Sequence, residues 1–507
     1  MTVEAFETPP TGGGVARAAR SEAARAGSTA TVRQGAVTDP RAHFDVAVVG
    51  AGVVGAAIAR RLGRTRLRVA LVEAGPDVGA GTSKANTAIL HTGFDAKPGT
   101  AEARLVAHGH ALLSTYAAQA GIPVERTGAL LVAWTEEQQA LLPGLAEQAA
   151  VNGYDRCDLV DAAELYRREP YLGPGALGAV TVPDESLICP WTTPLAYATE
   201  AVANGVALHR SRPVTDAERV GDRWQLATPL GPLLCDWVVN AAGLRADDVE
   251  RRLGHGDFAI TPRRGQLIVF DKLARPLLRH ILLPVPTARS KGVLLSPTVF
   301  GNVLLGPTAE DLDDKSETAS TAAGIAGLLD HGRRILPALL DEEVTAVYAG
   351  LRAATDDADY RLAFRPDERT VCVGGIRSTG LTSSLALAEW VAGRLAVAGV
   401  DVAERADAVG VHMPNLGDAA PRPFLDGERI AADPEYGRIV CHCERVTAGE
   451  IRDACEGPVP PVDLDGLRRR TRALMGRCQG FYCTAEVVER FARHTGRATP
   501  EILGLAS

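Results

Sequence analysis

The sequence predicts an α/β protein of more than one domain, on three observations. A glycine-rich turn sits between two short buried-strand patterns near residue 50. Short strand-like runs broken by Gly and Pro fill residues 258–350. Four cysteines in two tight pairs, Cys441/Cys443 and Cys478/Cys483, lie close to the C-terminus. The length of 507 residues exceeds one compact core, so two or three domains are expected. A hydrophobic share of 46% and a charged share of 23% are those of an ordinary soluble globular protein. The net charge of -8 argues against a nucleic-acid-binding surface. No apolar run reaches the roughly 18 residues needed to cross a bilayer. The first 43 residues lack the apolar segment of a secretory signal.

Taken in order, residues 1–43 are rich in Ala, Gly, Arg, Thr and Ser without periodicity, and read as a disordered extension. Asp45 to Gly50 is a short apolar run, read as a buried parallel strand. Ala56 to Leu62 has helical character, and Arg68 to Glu73 is a second buried strand, so the three form a βαβ unit. A helix around Thr100–Gly121 follows, then alternation at Gly128–Trp134. Asp236 to Gly243 is another buried strand. The runs Gln266–Phe270, Ile281–Val285, Gly292–Ser296 and Asn302–Gly306 suggest an antiparallel sheet. Thr370–Gly375 is a strand and Leu385–Ala398 a helix. Residues 401–435, with Pro414, Pro421, Pro423 and Pro434, read as a linker before a small domain at 436–507.

Gly50-Ala51-Gly52-Val53-Val54-Gly55 is a GxGxxG between strand and helix. Gly50 permits the tight turn, Gly52 the approach of a pyrophosphate, and Gly55 the packing of helix on strand. The helix N-terminus offers unpaired N–H groups to phosphates. Glu73, closing the second strand, sits where a carboxylate accepts hydrogen bonds from ribose hydroxyls. Later glycine-ended strands, at Gly243 and at Gly374 to Gly380, can present backbone to a long cofactor, which favours FAD over NAD. A flavin also suits a metal cluster on the same chain, because it exchanges one or two electrons.

Four stretches carry a family resemblance: Thr82–Asp95, which includes His91; Pro262–Gln266; Val285–Thr308, which includes Ser290-Lys291-Gly292, Ser296-Pro297-Thr298 and Gly306-Pro307-Thr308; and Gly380–Ser384. Together they resemble the FAD-dependent glycerol-3-phosphate dehydrogenase and 2-hydroxyglutarate oxidase branch of the D-amino-acid-oxidase-like superfamily, over about residues 44–400. The resemblance implies a discontinuous Rossmann-like FAD domain (about 44–125, 190–255 and 350–400) and an antiparallel-sheet substrate domain (about 126–189 and 256–349). It also implies that Thr82, Ser83, Gly243, Gly380, Leu381 and Thr382 line the flavin.

Oxidation of a secondary alcohol, the reaction this branch implies, needs a base for the hydroxyl proton. His91 is the candidate, set against the commoner role of a histidine as a structural hydrogen-bonder. Anionic substrates need fixed cations, and arginine grips carboxylates or phosphates bidentately. Arg352 and Arg377 are the leading candidates, and the alternative for each is a surface salt bridge. Lys291 is a weaker candidate, and Arg263 and Arg264 weaker still, one of them being expected to brace the domain junction.

Cys441-x-Cys443 with Cys478-x4-Cys483 departs from the C-x2-C to C-x4-C pairs usual for zinc, and suits an iron–sulfur cluster better. Residues 438–490 resemble the [2Fe-2S] domain of the bacterioferritin-associated-ferredoxin type, with zinc or unliganded thiols as alternatives. Nearby Arg445, Arg472 and Arg477 would offset thiolate charge. The other cysteines are scattered, as reduced thiols in a cytoplasmic protein would be.

The leading expectation is a flavin and [2Fe-2S] dehydrogenase acting on a small anionic secondary alcohol, glycerol 3-phosphate or a related polyol phosphate. It would pass electrons to a protein or quinone-linked partner, as a hetero-oligomer or peripherally at a membrane through that partner. The fused cluster argues against a simple oxidase. The alternatives are a 2-hydroxyacid or amino/imino-acid dehydrogenase of the hydroxyproline or opine type, and a non-catalytic redox protein.

Overall fold

A computed structural model describes residues 43–286, 292–418 and 421–505. The extension expected over residues 1–43 lies outside the described residues, save His43, which opens the first strand. β1 (His43–Val49), α1 (Val53–Gly63) and β2 (Val69–Val72) form the expected βαβ unit. β1 pairs in parallel with β2 on one side and with the strand Leu233–Asn240 on the other. The strand Thr370–Gly374 then adds in parallel to Leu233–Asn240. Three distant stretches of chain thus build one eight-stranded sheet. These strands are continuous apolar runs because both faces are covered, and Ile58, Leu62 and Leu71 are wholly buried. Burying each such side chain contributes about 1.5–3 kcal/mol.

A nine-stranded sheet forms the second layer. Its long central pair is Thr261–Phe270 against Val344–Ala354, antiparallel, with Arg263 opposite Arg352. The expected antiparallel character holds with one exception, since Ile281–Pro284 runs parallel to Ala129–Ala133. The crossover that parallel pairing requires is the long chain between those strands, which passes through the first sheet.

The cysteine-bearing unit has its own apolar core around Val446, Ile451, Leu467, Val487 and Phe491. Its helix Ala448–Glu456 begins with a capping box, in which Thr447 and Glu450 satisfy each other's backbone N–H. The unit is clamped rather than tethered. Asp77, fully buried, receives two bonds from Arg470 (2.6 and 2.9 Å) and one from Arg469 (2.9 Å), with Arg210 at 3.5 Å. Burial pushes the Asp77 carboxyl up, but the Arg470 and Arg469 guanidiniums outweigh it and hold it below the usual carboxylate range.

Residues 401–435, expected as a linker, pack along the first unit. The Met413 N–H donates to the Ala120 carbonyl (2.7 Å) and the Arg405 N–H to that of Arg64 (2.8 Å). The prolines confine regular structure there to short pieces, the helix Gly427–Ala432 and two 3-10 turns that begin at Pro423 and Pro434, without preventing burial. Further on, Arg422 reaches Glu450 of the capping box at 2.8 Å, each side chain only 6% exposed. No helix among the described residues is long and apolar enough to cross a membrane.

Candidate functional site

Glycine at the nucleotide turn is enforced by contact. A Cβ on Gly55 would lie 1.8 Å from the Gly50 carbonyl oxygen, and one on Gly50 would lie 2.5 Å from that of Ala241. Gly50 also takes φ +104°. Gly52 caps α1 without a side chain, and the Val53 N–H donates to Ser83 Oγ at 2.9 Å. The Glu73 carboxylate accepts the N–H groups of Ala51 and Gly75, both at 2.7 Å. Burial raises its pKa, opposed by those N–H groups.

From this turn a cavity of about 340 Å³ runs between the two sheets. Its wall includes Gly52, Thr82, Ser83, Gly243, Gly380 and Leu381, with His91, Arg352 and Arg377. Thr82 is fixed by donating to the Leu351 carbonyl (2.9 Å). Thr382 takes a different position from its neighbours. It is fully buried behind the wall and accepts the His91 N–H at 3.0 Å, so it braces the histidine backbone. Lys291 lies outside the described residues.

His91 Nδ1 contacts Glu185 Oε2 at 3.1 Å. Glu185 is fully buried, and its other oxygen accepts the Thr92 N–H (2.6 Å) and hydroxyl (3.0 Å). A carboxylate held this way fixes the ring and favours a proton on Nδ1, so that Nε2 is the basic nitrogen. Sequence reasoning missed Glu185, which lies 94 residues from His91 in a short turn with no spacing motif.

Arg352 is a half-buried cation with poor compensation, its guanidinium donating to the Thr308 carbonyl only at 3.4 Å. Burial, and next the nearby Arg263 charge, lower its pKa to about 10. Gly265, on the neighbouring strand two residues beyond the one opposite Arg352, makes room for it, since a Cβ there would lie 2.7 Å from the Arg352 guanidinium. Arg377 donates to the Thr355 carbonyl (3.0 Å), and its Nε is buried without a partner. Among the described residues neither arginine has a carboxylate partner, whereas Arg263 and Arg264 are paired with Asp311 and Glu310.

In the C-terminal unit the four sulfurs meet as two pairs, the thiols of Cys443 and Cys478 hydrogen-bonding to each other and those of Cys441 and Cys483 likewise. No three of them lie within 4.8 Å of one another. A tetrahedral zinc with Zn–S of about 2.3 Å would draw all four to about 3.8 Å; two pairs suit two bridged irons. Backbone N–H groups of Tyr482, Gly480 and Phe481 point at Cys478 and hold its thiol below its ordinary value. The residues therefore fit a [2Fe-2S] cluster. Of the arginines expected to offset thiolate charge, two serve elsewhere. Arg472 pairs with Glu444 (2.7 Å) inside the unit and donates to Asn302 (3.3 Å), and Arg477 pairs with Asp271 (2.6 Å), so that the last two contacts fasten the unit to its neighbour.

Residues 45–394 match the FAD dependent oxidoreductase family, and residues 439–493 the BFD-like [2Fe-2S] binding domain. The chain belongs to the FAD dependent oxidoreductase family, with a [2Fe-2S] domain at its C-terminus. It is 35% identical to a glycerol 3-phosphate dehydrogenase of Caloramator mitchellensis, over 90% of this chain and 96% of that one. It is 31% identical to a glycerol 3-phosphate oxidase of Mycoplasma pneumoniae, over 68% and 92%. It is 28% identical to a subunit of the anaerobic glycerol-3-phosphate dehydrogenase of Escherichia coli K12, over 88% of each. The solved dithionite-reduced L-alpha-glycerophosphate oxidase from M. pneumoniae with FAD bound superposes with TM-score 0.69 at 28% identity, over 73% of this chain and 98% of that one. The protein is an FAD-dependent oxidoreductase whose cofactors are FAD and a [2Fe-2S] cluster.

Proposed function

We propose that the chain is a glycerol 3-phosphate dehydrogenase that sends its electrons out through the cysteine unit. The observation that carries this reading is the pair Arg352 and Arg377, two cations on one cavity wall without carboxylate partners among the described residues. A half-buried, poorly paired cation is expensive unless a ligand pairs it, and a phosphate dianion is a fitting partner for two arginines. In this reading Glu185 orients His91, which takes the substrate hydroxyl proton while the arginines hold the phosphate. Bound FAD supplies the hydride acceptor. Gly50, Gly52, Gly55 and Glu73 hold its nucleotide end, while Thr82, Ser83, Gly243, Gly380 and Leu381 flank the rest.

Reading the chain as a dehydrogenase rather than an oxidase is supported by coverage. The C. mitchellensis and E. coli relatives named glycerol 3-phosphate dehydrogenase align over 88–90% of this chain, while the M. pneumoniae oxidase uses 92% of its own length on 68% of it. The E. coli relative is named as one subunit of its enzyme, which supports a multi-subunit complex with an electron-accepting protein or quinone-linked partner. Phe481 and Tyr482, between Cys478 and Cys483, are 84% and 79% exposed, so an acceptor can approach the cluster loop. Anaerobic mixing with glycerol 3-phosphate is expected to bleach the flavin's visible band. Bleaching by 2-hydroxyglutarate or hydroxyproline, but not by glycerol 3-phosphate, would sink the substrate assignment.

A further inference from the structure

A second cavity, of about 740 Å³, separates the flavin cavity from the cysteine unit. The two cavities share Thr82, Ala85, Asn86 and Gly350, and the far side of the second carries Arg472, Met475 and Gln479, the last adjoining Cys478. Electrons cross packed atoms better than open space, so a route between the two sites follows the cavity wall. One continuous set of contacts does so. Trp191 Nε1–H donates to the carbonyl of Lys84, within the loop that lines the flavin cavity, at 3.0 Å. The indole stacks on Phe300 with centroids 4.9 Å apart and planes 17° apart. The Arg472 guanidinium lies 4.1 Å from the Phe300 ring and 5.8 Å from Trp191. Arg472 Nε then bonds Glu444, the residue after Cys443, at 2.7 Å.

Phe300 belongs to the apolar core and Trp191 packs against it, yet both also line the cavity. The buried Arg472 cation lies against them, and the pair joins the flavin loop to the cysteine loop. We propose that Trp191 and Phe300 form the electron bridge between FAD and the [2Fe-2S] cluster, with Arg472 as the positioning residue that holds both rings against the cysteine loop. The proposal rests on the reading that FAD fills the first cavity and reduces the cluster. No bond is made or broken in the bridge. The two electrons of the substrate hydride would leave one at a time through the bridge, and its proton would pass to solvent once both have left. The hydroxyl proton taken by His91 would likewise be released to solvent before the next turnover.

The test uses holoenzyme under anaerobic conditions, with the flavin photoreduced by light and a sacrificial donor so that no substrate is needed. Cluster reduction is followed by EPR and by its visible bands. W191L and F300L are each expected to slow cluster reduction by about tenfold or more, while W191F, which keeps a ring, retains most of the rate. Cluster content, EPR line shape and reduction potential are expected to match wild type, while the melting temperature falls because Phe300 is part of the core and Trp191 packs against it. Wild-type rates in both W191L and F300L, with intact centres, overturn the bridge. Equal slowing in W191F and W191L also overturns it, because the Lys84 hydrogen bond rather than the ring would then be what matters. A wild-type cluster that stays oxidised beside photoreduced flavin overturns the underlying flavin-to-cluster reading instead.

Discussion

The cavity wall and the joint of the cysteine unit both bury charge, in opposite ways. At the joint, Asp77 is surrounded by Arg210, Arg469 and Arg470, and its charge is satisfied within the protein. On the wall, Arg352 has only long bonds to one carbonyl and another cation nearby. A buried charge paired inside the fold serves structure; one left without a counter-charge beside a cavity marks where a ligand of opposite sign belongs.

Substitutions should separate the two. D77N leaves three arginines facing a neutral amide, so it is expected to lower stability by about 3–5 kcal/mol, read as an early calorimetric transition of the cysteine unit. R352M is expected to reduce kcat/KM for the anionic substrate by about 10²–10³-fold, while the ligand-free melting temperature holds or rises. A large stability loss in R352M would show that the two sites are alike after all. E185Q is expected to lower kcat by about 10–100-fold with little change in KM, because it disturbs the base and not the anion clamp.

Acid should weaken the joint through Asp77. The folded-state pKa of Asp77 lies below its unfolded value of about 3.9, so its stabilisation is fully present above that pH and is lost as pH falls through the folded value. Melting curves between about pH 6 and pH 3 are expected to show the cysteine unit weakening at the acid end, and D77N is expected to flatten that dependence. The smallest effect belongs to E164A. Its two arginine pairs, Arg167 and Arg168, lie at the surface, and no resolvable change in melting temperature is expected.

Local patterns were legible in the sequence, and distant partnerships were not. Gly50, Gly52 and Gly55 carry their requirement within six residues, and the cysteine pairs carry theirs in spacing and neighbours. Arg352 could be singled out because the family resemblance aims its strand at the flavin face, though its lack of a carboxylate partner could not be read. Glu185, Asp77 and Trp191 are single side chains whose partners lie 94, 392–393 and 107 residues away, and no periodicity announces such a meeting. The contacts of residues 401–435 were hidden for a related reason. Proline content marks interrupted structure but says nothing about what the chain lies against.

The contact between Arg422 and Glu450 decides where the chain can be cut. A fragment begun at residue 436 would keep the four cysteines and the capping box, yet Glu450 would lose the guanidinium it is buried with. Arg469 and Arg470 would meanwhile face solvent without Asp77. An iron–sulfur fragment prepared for separate expression should therefore begin upstream of residue 422 and carry neutral replacements for both of those arginines.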